Sequence, residues 1–329
     1  MAIPSRRWPK SIVRIGVLCL VALASMNACG PPPDRYYFIL NPSFNPYWQL
    51  IKEGIEAAGT KAGISPTVVF ADTAKKDNSN WYGQIVSQKP KIIVLGGLTP
   101  AEEVEYARAA QQQGIKVADV NFESAQSNEL KKANIDLAFC LLAEHEAVGK
   151  RVAEFVASTK TRSNPKILVI GGPAANGCSN GRINGFKDTL KTLVPSAQIV
   201  ATVNCGWDPK HAQDATADTL AKNPDLDFVY AVSDAMAQGA ADAVKKASKG
   251  KQVAIIGVDG TIDARKNVKS GTMAATLIQV PYWMGMETYQ KAIDATKGTQ
   301  TSKQEMVPVL LITKEMLESK KEPLLQYVR

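Results

Sequence analysis

Histidine is scarce in this 329-residue chain, with two residues in all, His145 and His211. They lie far apart on stretches that read as helices and are expected to be surface or capping residues. No G-x-S-x-G, H-E-x-x-H or Walker pattern occurs, and the glycine-rich stretch GGPAANGCSNG (171–181) lacks the Lys-Ser/Thr end that would hold phosphate and magnesium. G-x-G-x-x-G is missing after the first strand, which removes the main support for dinucleotide binding. None of the five cysteines forms a C-x-x-C pair, so neither a redox dithiol nor a structural zinc site is indicated. No cofactor, no metal and no enzymatic activity are expected. There is also no arginine-rich run, zinc-finger spacing or helix-turn-helix before the core, so nucleic acid is not an expected partner. Lys75-Lys76, Lys131-Lys132 and Lys245-Lys246 read as solvated faces.

The amino terminus stands apart from the rest. Arg6, Arg7, Lys10 and Arg14 make a basic leader, and the apolar run Ile15 to Ser25 that follows is too short to span a bilayer as a helix. Residues 1–28 read as a secretory signal peptide. Without their four basic residues, Lys plus Arg falls from 39 to 35 against 31 acids, and the net charge falls from +8 to +4. Cys29, after ASMNA, resembles a bacterial lipoprotein processing site, at which this cysteine becomes the lipidated first residue. Met26 stands where leucine is preferred, and simple cleavage remains the alternative. Residues 29–35, with Pro31 to Pro33, read as a stiff tether. The expected location is the periplasm, with attachment to a membrane through Cys29.

The most informative stretch is Tyr36 to Ala58, YYFILNPSFNPYWQLIKEGIEAA. It reads as strand, loop and helix, the opening unit of an α/β layer. Its loop mixes Asn41, Ser43 and Asn45 with the rings of Phe44, Tyr47 and Trp48. Ligands of open α/β sheets bind beyond the carboxyl ends of the strands, where this loop falls. The alternative is that Tyr47 and Trp48 only pack the first helix on its sheet.

Strands are expected at 66–71, 91–95 and 115–120, and a helix at 100–113 with Thr99 as N-cap. Residues 72–80 read as a polar loop. The rhythm restarts near Asn164, with strands at 166–170, 198–204, 228–232, 253–258 and 273–279. A loop is expected at 171–180, helices at 143–158, 181–193 and 282–296, one last extended piece at 307–312 and a partly helical charged tail. Continuous β-branched runs between helices indicate parallel sheets covered on both faces. The expected fold class is α/β, two similar three-layer α/β/α domains with a cleft between them.

The Asn41, Asn45-Pro46-Tyr47-Trp48 loop, the SDAMAQG segment from Ser233, the GVDG strand end from Gly257 and the GTMAATLIQ segment ending at Gln279 resemble, in order, motifs of the periplasmic sugar-binding proteins of ABC transporters, the ribose/galactose-binding type with the type I periplasmic binding fold. The resemblance spans about residues 36 to 313. It implies three crossings between lobes, near Leu142, Gln279 and Pro308. One lobe is then 36–142 plus 280–308, and the other 143–279 plus 309–329. It also implies a cleft closing by hinge motion on a small hydroxylated ligand. Asp259 would accept sugar hydroxyls, or alternatively cap the next turn, and Gln279 would reach the ligand from the hinge. Trp207 on one side, with Trp48 and Tyr47 on the other, would stack on the ring. Asn41, Asn45 and Ser233 would supply hydrogen bonds, while Asp234 would either do the same or cap its helix.

Two departures matter. The family's Asp-Arg pair is here Asn121-Phe122, and a second family Arg falls on Asn180, with Arg182 able to substitute only if the loop bends. Losing two forked donors removes charge-assisted bonds. The cleft is expected to be less charged and more aromatic than a ribose or glucose site, open to a deoxy sugar, polyol or nucleoside. Cys178 and Cys205 fall beyond adjacent strands and could pair as a disulfide, given Cα atoms roughly 4.4–6.8 Å apart. The expected function is that of a monomeric solute receptor working with an ABC permease. The alternatives are a receptor feeding a membrane sensor, either a histidine kinase or a chemoreceptor, and a secreted enzyme on the same frame.

Overall fold

The computed structural model describes residues 35–122, 129–248, 252–299 and 302–328. The expected leader, Cys29 and all of the tether but Arg35 lie outside them. Residues Tyr36–Arg329 make up one unit. Twelve strands form two sheets among the described residues. They are β1 (Tyr36–Leu40), β2 (Thr67–Phe70), β3 (Ile92–Gly96), β4 (Lys116–Phe122), β5 (Cys140–Leu142), β6 (Lys166–Gly171), β7 (Gln198–Asn204), β8 (Phe228–Ala231), β9 (Ala254–Val258), β10 (Ala275–Ile278), β11 (Gln304–Met306) and β12 (Leu310–Thr313). The helices are α1 (Pro46–Ala62), α2 (Ala71–Asp77), α3 (Trp81–Ser87), α4 (Pro100–Gln112), α5 (His145–Thr159), α6 (Gly177–Leu193), α7 (Pro209–Lys222), α8 (Asp234–Lys246), α9 (Ile262–Ser270), α10 (Pro281–Lys297) and α11 (Lys314–Ser319).

The first sheet runs β11-β5-β4-β3-β1-β2 and the second β12-β10-β9-β8-β6-β7. Apart from the edge strands β11 and β12, the five strands of each follow the same winding, so the chain repeats one unit. All pairings are parallel except β10 with β12, which is antiparallel. In each lobe the winding reverses direction beside the first strand, between β1 and β3 and again between β6 and β8. Loops leaving adjacent strands at such a point diverge to opposite faces and leave a crevice.

Strand β1 shows why the sheets need two covers. Its alternate residues Tyr36, Phe38 and Leu40 face Ile51, Ile55 and Tyr289, while Tyr37 and Ile39 face Trp81, Tyr82 and Tyr106. A strand buried on both sides must be apolar at every position, and all five β1 residues are buried. Thr99 caps α4 with a complete capping box, its side chain taking the Glu102 amide and Glu102 returning to Thr99.

Four stretches differ from expectation. The 72–80 loop is largely helix α2, which begins directly after β2 because the Asp72 carboxylate is held by the Ser43 amide and hydroxyl, the latter at 2.7 Å. Helix α9 has no strong sequence signal: IDARKNVKS buries only Ala264 and Val268, four residues apart, and depends on Thr261 capping the Ala264 amide. Helix α6 starts at Gly177, four residues earlier than expected, because Asn176 accepts from the Ser179 amide. The expected extended piece at 307–312 is a strand only from Leu310, in β12; residues 307–309 link it to β11, which lies just before it and in the other sheet.

The chain passes between sheets after β5, after β10 and after β11. Between β10 and β11, α10 returns to the first lobe and lies on α1, where its Tyr289 hydroxyl donates to the Ile64 carbonyl at 2.9 Å. The two helices touch through glycine. A β-carbon on Gly54 would strike the Tyr282 carbonyl, and one on Gly285 the Ile51 carbonyl. In the second lobe α5 and α6 meet the same way through Gly149 and Gly185. The tail folds back on the crossing, with Leu324, Leu325 and Tyr327 packed on Ile278 and Val280. Replacing Gly285 with Ala improves helix propensity by about 0.5–1 kcal/mol but forces two backbones apart. The net expectation is destabilisation of about 1–3 kcal/mol, read as a lower urea midpoint with an unchanged slope.

Candidate ligand cleft

A cleft of about 860 Å³ lies between the carboxyl ends of the two sheets, within the roughly 300–1,000 Å³ usual for small-molecule sites. Each lobe contributes a tryptophan resting on glycine at a strand end. Trp48, on the first turn of α1, covers the end of β3. A β-carbon on Gly96 would sit 3.0 Å from its ring, and Gly97, at φ +71°, is closer still. Trp207 covers the end of β6, where a β-carbon on Gly172 would sit 2.6 Å from its ring. Gly206 and Trp207 both take left-handed backbone, φ +65° and +67°, which turns the ring back over the sheet. Both tryptophans line the cleft.

On the first wall, Asn45 caps α1 by accepting from the Tyr47 amide at 2.9 Å. The Tyr47 ring meets Trp48 edge-on with centroids 5.5 Å apart. Its hydroxyl donates to Asn121 Oδ1 at 2.5 Å and lies 3.2 Å from Met284 Sδ. Asn121, next to last in β4, has φ +65°, a conformation asparagine tolerates. On the second wall, Arg182 is only 7% exposed. Its Nη1 donates to the Val232 carbonyl at 2.6 Å and lies 3.4 Å from Asp259 Oδ1. Asp259 follows β9 at φ 120°, a conformation costing a non-glycine residue on the order of 1–3 kcal/mol. Its side chain is 46% exposed, open to the cleft. Ser233 and Gln279 complete this wall, and Gln279 Nε2 is buried with no hydrogen-bond partner among the described residues.

Of the residues singled out in the sequence, Asn45, Tyr47, Trp48, Asn121, Arg182, Trp207, Ser233, Asp259 and Gln279 are thus brought together. Three others lie outside the lining. Asn41 turns its Oδ1 into the protein. Asn180, on α6 rather than in a loop, donates to the Ala174 carbonyl at 2.9 Å. Arg182 reaches the cleft from the same helix, so no bend of a loop is required. Asp234 is 4% exposed and braces the lobe, accepting from Thr276 Oγ1 at 2.6 Å and from the Thr261 amide at 2.7 Å. The Phe122 backbone ends β4, and its side chain lies outside the described residues.

The expected Cys178–Cys205 disulfide is not formed: Cys140, Cys178 and Cys205 are free thiols. The early start of α6 carries Cys178 onto the helix and into the cleft lining, while the Cys205 thiol is buried 3.9 Å from the Val203 carbonyl. His145 also lines the cleft, because α5 begins there, and is not merely a surface residue. Ile262 and Asp263 enter through α9. The missing helix signal hid them, and the first turn after the GVDG strand end was the available clue. Phe44 and Ile262, one from each lobe, line the cleft and are 83% and 58% exposed.

The sequence profile of the periplasmic binding protein domain matches residues 36–300. The chain belongs to this family. This binding protein is similar to the D-allose-binding periplasmic protein of Escherichia coli strain K12, with 28% identity over 267 residues, covering 80% of this chain and 85% of the relative. It is similar to the ribose import binding protein of Haemophilus influenzae, with 27% identity over 277 residues, covering 84% and 90%. Among solved structures, a periplasmic ribose ABC transporter protein from Conexibacter woesei matches with a TM-score of 0.78 at 17% identity, covering 90% of this chain and 97% of that one. That likeness is one of fold. The family and fold are those of binding proteins, not of enzymes.

Two measurements follow for the binding protein. Burial raises the Cys140 thiol to about 12 and the Cys205 thiol to about 11. Peptide mapping after alkylation of the native protein should therefore find Cys178 modified and these two modified only on unfolding. Burial, with the neighbouring Asp259 carboxylate, pushes Asp234 up from 3.8 to about 7 against its hydrogen bonds. Between those values the folded state binds more protons than the unfolded chain, so this group's share of stability falls as pH rises from about 4 to about 7 and is flat above. Asp234→Asn removes that dependence, and its thermal midpoint relative to the native chain should rise across the window.

Proposed function

We infer that this binding protein is the solute receptor of an ABC-type sugar uptake system. It holds one small, uncharged, hydroxyl-bearing ligand between its lobes and delivers it to a membrane permease. The observation that carries this reading is the pairing of two glycine-seated tryptophans with one hydrogen-bonding set, Arg182, Asp259, Ser233 and Gln279, in a single interlobe cleft. Rings remove water from the apolar faces of a sugar, and a carboxylate paired with a guanidinium holds its hydroxyls by charge-assisted bonds. The relatives named for D-allose and ribose support a monosaccharide.

Trp48 and Trp207 belong to different lobes, so a ligand held between them ties the lobes together. The three crossings supply the hinge. Closure also covers Phe44 and Ile262, two large apolar side chains otherwise left in water. The basic leader and Cys29 support export to the periplasm and attachment there through a lipidated cysteine, which mass spectrometry of the exported protein would test.

Titration calorimetry with D-allose and D-ribose, alongside mass spectrometry of whatever co-purifies, tests the receptor reading. Asp259→Asn preserves a residue tolerant of left-handed backbone and should weaken binding at least about tenfold, one lost charge-assisted bond. Trp207→Ala should cost about 1–3 kcal/mol of binding with the fold intact. Unchanged affinity in both variants would remove the cleft from the binding site.

A further inference from the structure

Asp259 reaches the cleft from a strained turn. Its own φ is 120° and that of Gly260 is +66°, directly after β9. A β-carbon on Gly260 would sit 2.7 Å from the Ile278 side chain, so the turn is pressed onto β10. A residue with a side chain persists in such backbone only where its surroundings over-determine it. Here a chain of hydrogen bonds does so, and it ends on a residue outside the cleft lining.

All three amides of the turn are taken. The Asp259 amide donates to the Leu277 carbonyl of β10 at 2.7 Å. The Gly260 amide donates to Thr276 Oγ1 at 3.2 Å, and the Thr276 hydroxyl donates in turn to Asp234 Oδ1 at 2.6 Å. The Thr261 amide donates to Asp234 Oδ2 at 2.7 Å. A hydroxyl has one hydrogen, and a carboxylate only accepts. Asp234 therefore sets the direction of the chain: it takes the Thr276 hydrogen and leaves the Thr276 oxygen to Gly260. Asp234 is 4% exposed and Thr276 fully buried, so the protein itself must supply these partners. The Asp234 carboxylate lies directly on β9, where a β-carbon on Gly257 would be 2.3 Å from Oδ1. The Asp234 amide, first in α8, also donates to the Asp259 carboxylate. Asp234 thus holds Asp259 twice, through the backbone of the turn and at its side chain.

We propose that Asp234 and Thr276 are positioning residues for ligand binding: they stand behind the cleft and set the direction in which Asp259 presents its carboxylate to a sugar hydroxyl. This rests on the receptor reading above and deepens it. Loss of the Thr276 hydroxyl leaves the buried Gly260 amide without its acceptor and one Asp234 oxygen without its donor. The turn then relaxes toward ordinary backbone, and the Asp259 carboxylate swings off line. Hydrogen bonds weaken steeply with misalignment, so affinity falls although no residue of the cleft lining has changed.

The test is calorimetric titration of the purified protein with D-allose and D-ribose, with thermal midpoints establishing that each variant is folded. It is run at pH 8, above the value of about 7 to which burial and the Asp259 charge push Asp234, so that both its oxygens accept. Thr276→Val keeps the shape and removes the hydroxyl, and should weaken binding about fivefold or more. Thr276→Ser restores the hydroxyl and should return affinity to within about twofold of the native protein. Asp234→Asn can accept from only one of its two donors and should lose about threefold or more. The deciding measurement is a double-mutant cycle with Asp259→Gly, which allows the same backbone and carries no carboxylate. In that background, titrated at raised sugar concentration, Thr276→Val should change affinity by less than about twofold, because nothing is left to position. If Asp259→Gly binds neither sugar, the Val and Ser variants decide alone. Undiminished affinity in Thr276→Val or Asp234→Asn, no recovery in Thr276→Ser, or an equal loss with the Asp259 carboxylate absent overturns the proposal and leaves the receptor reading standing. Binding of neither sugar by the native protein removes the receptor reading and this inference with it.

Discussion

The absence of a β-carbon at the ends of β3 and β6 is the constraint on which the cleft depends. Trp48 lies tightly on Gly96 and, like Trp207 on Gly172, approaches Gly97 at a distance that a side-chain-bearing residue would not permit. Each ring is thereby set flush against the edge of its own sheet. The two edges are the carboxyl ends of strands, beside the point where each winding reverses and its loops part. A substitution at these glycines would move an aromatic wall, not merely crowd a turn.

Around that constraint the chain uses one design twice. Apart from the edge strands β11 and β12, both sheets are wound in the same order, and both lobes bring helices together through glycine where backbone meets backbone, Gly54 with Gly285 and Gly149 with Gly185. The copies then diverge in chemistry. The second lobe holds Arg182 and Asp259 at the cleft, while in the first Asn45 and Asn121 each accept a hydrogen bond from Tyr47. Strain concentrates at the same edge. Asp259 at φ 120° and Val280 at φ 45° both occupy backbone that L-residues seldom adopt, and Val280 sits at a crossing between lobes. Such conformations persist because their surroundings hold them: the Asp259 amide donates to the Leu277 carbonyl at 2.7 Å, and Val280 is fully buried under the tail.

Much of the frame was legible because buried parallel strands leave an unmistakable pattern. A strand covered on both faces must be apolar at each buried position, and YYFIL, IIVLG and the ILVIG that follows Lys166 are. Caps were legible where a single side chain decides them, as at Thr99. The helices that escaped notice, α2 and α9, bury one and two residues respectively, and are held by Asp72 on Ser43 and by Thr261 at an N-cap. Contacts of that kind are distant or singular and make no period in the sequence.

The order of apolar runs and strand-end motifs determined by itself that this is a two-lobed α/β protein with polar and aromatic residues gathered at strand ends. Hydrophobic burial reads directly as periodicity, so no other information was needed. Which of those residues face the ligand cleft was decided only by the tertiary structure. Asp234 and Asp259 both stand at strand ends, yet Thr261 and Thr276 draw the first into the interior, while the second stays open to the cleft beside Arg182 on the same wall. Asn180 and Arg182 share one helix, and its start at Gly177 turns one toward the Ala174 carbonyl and the other into the cleft. A side chain's direction depends on the register of its helix and on partners far away in sequence, and neither is written in the residue itself.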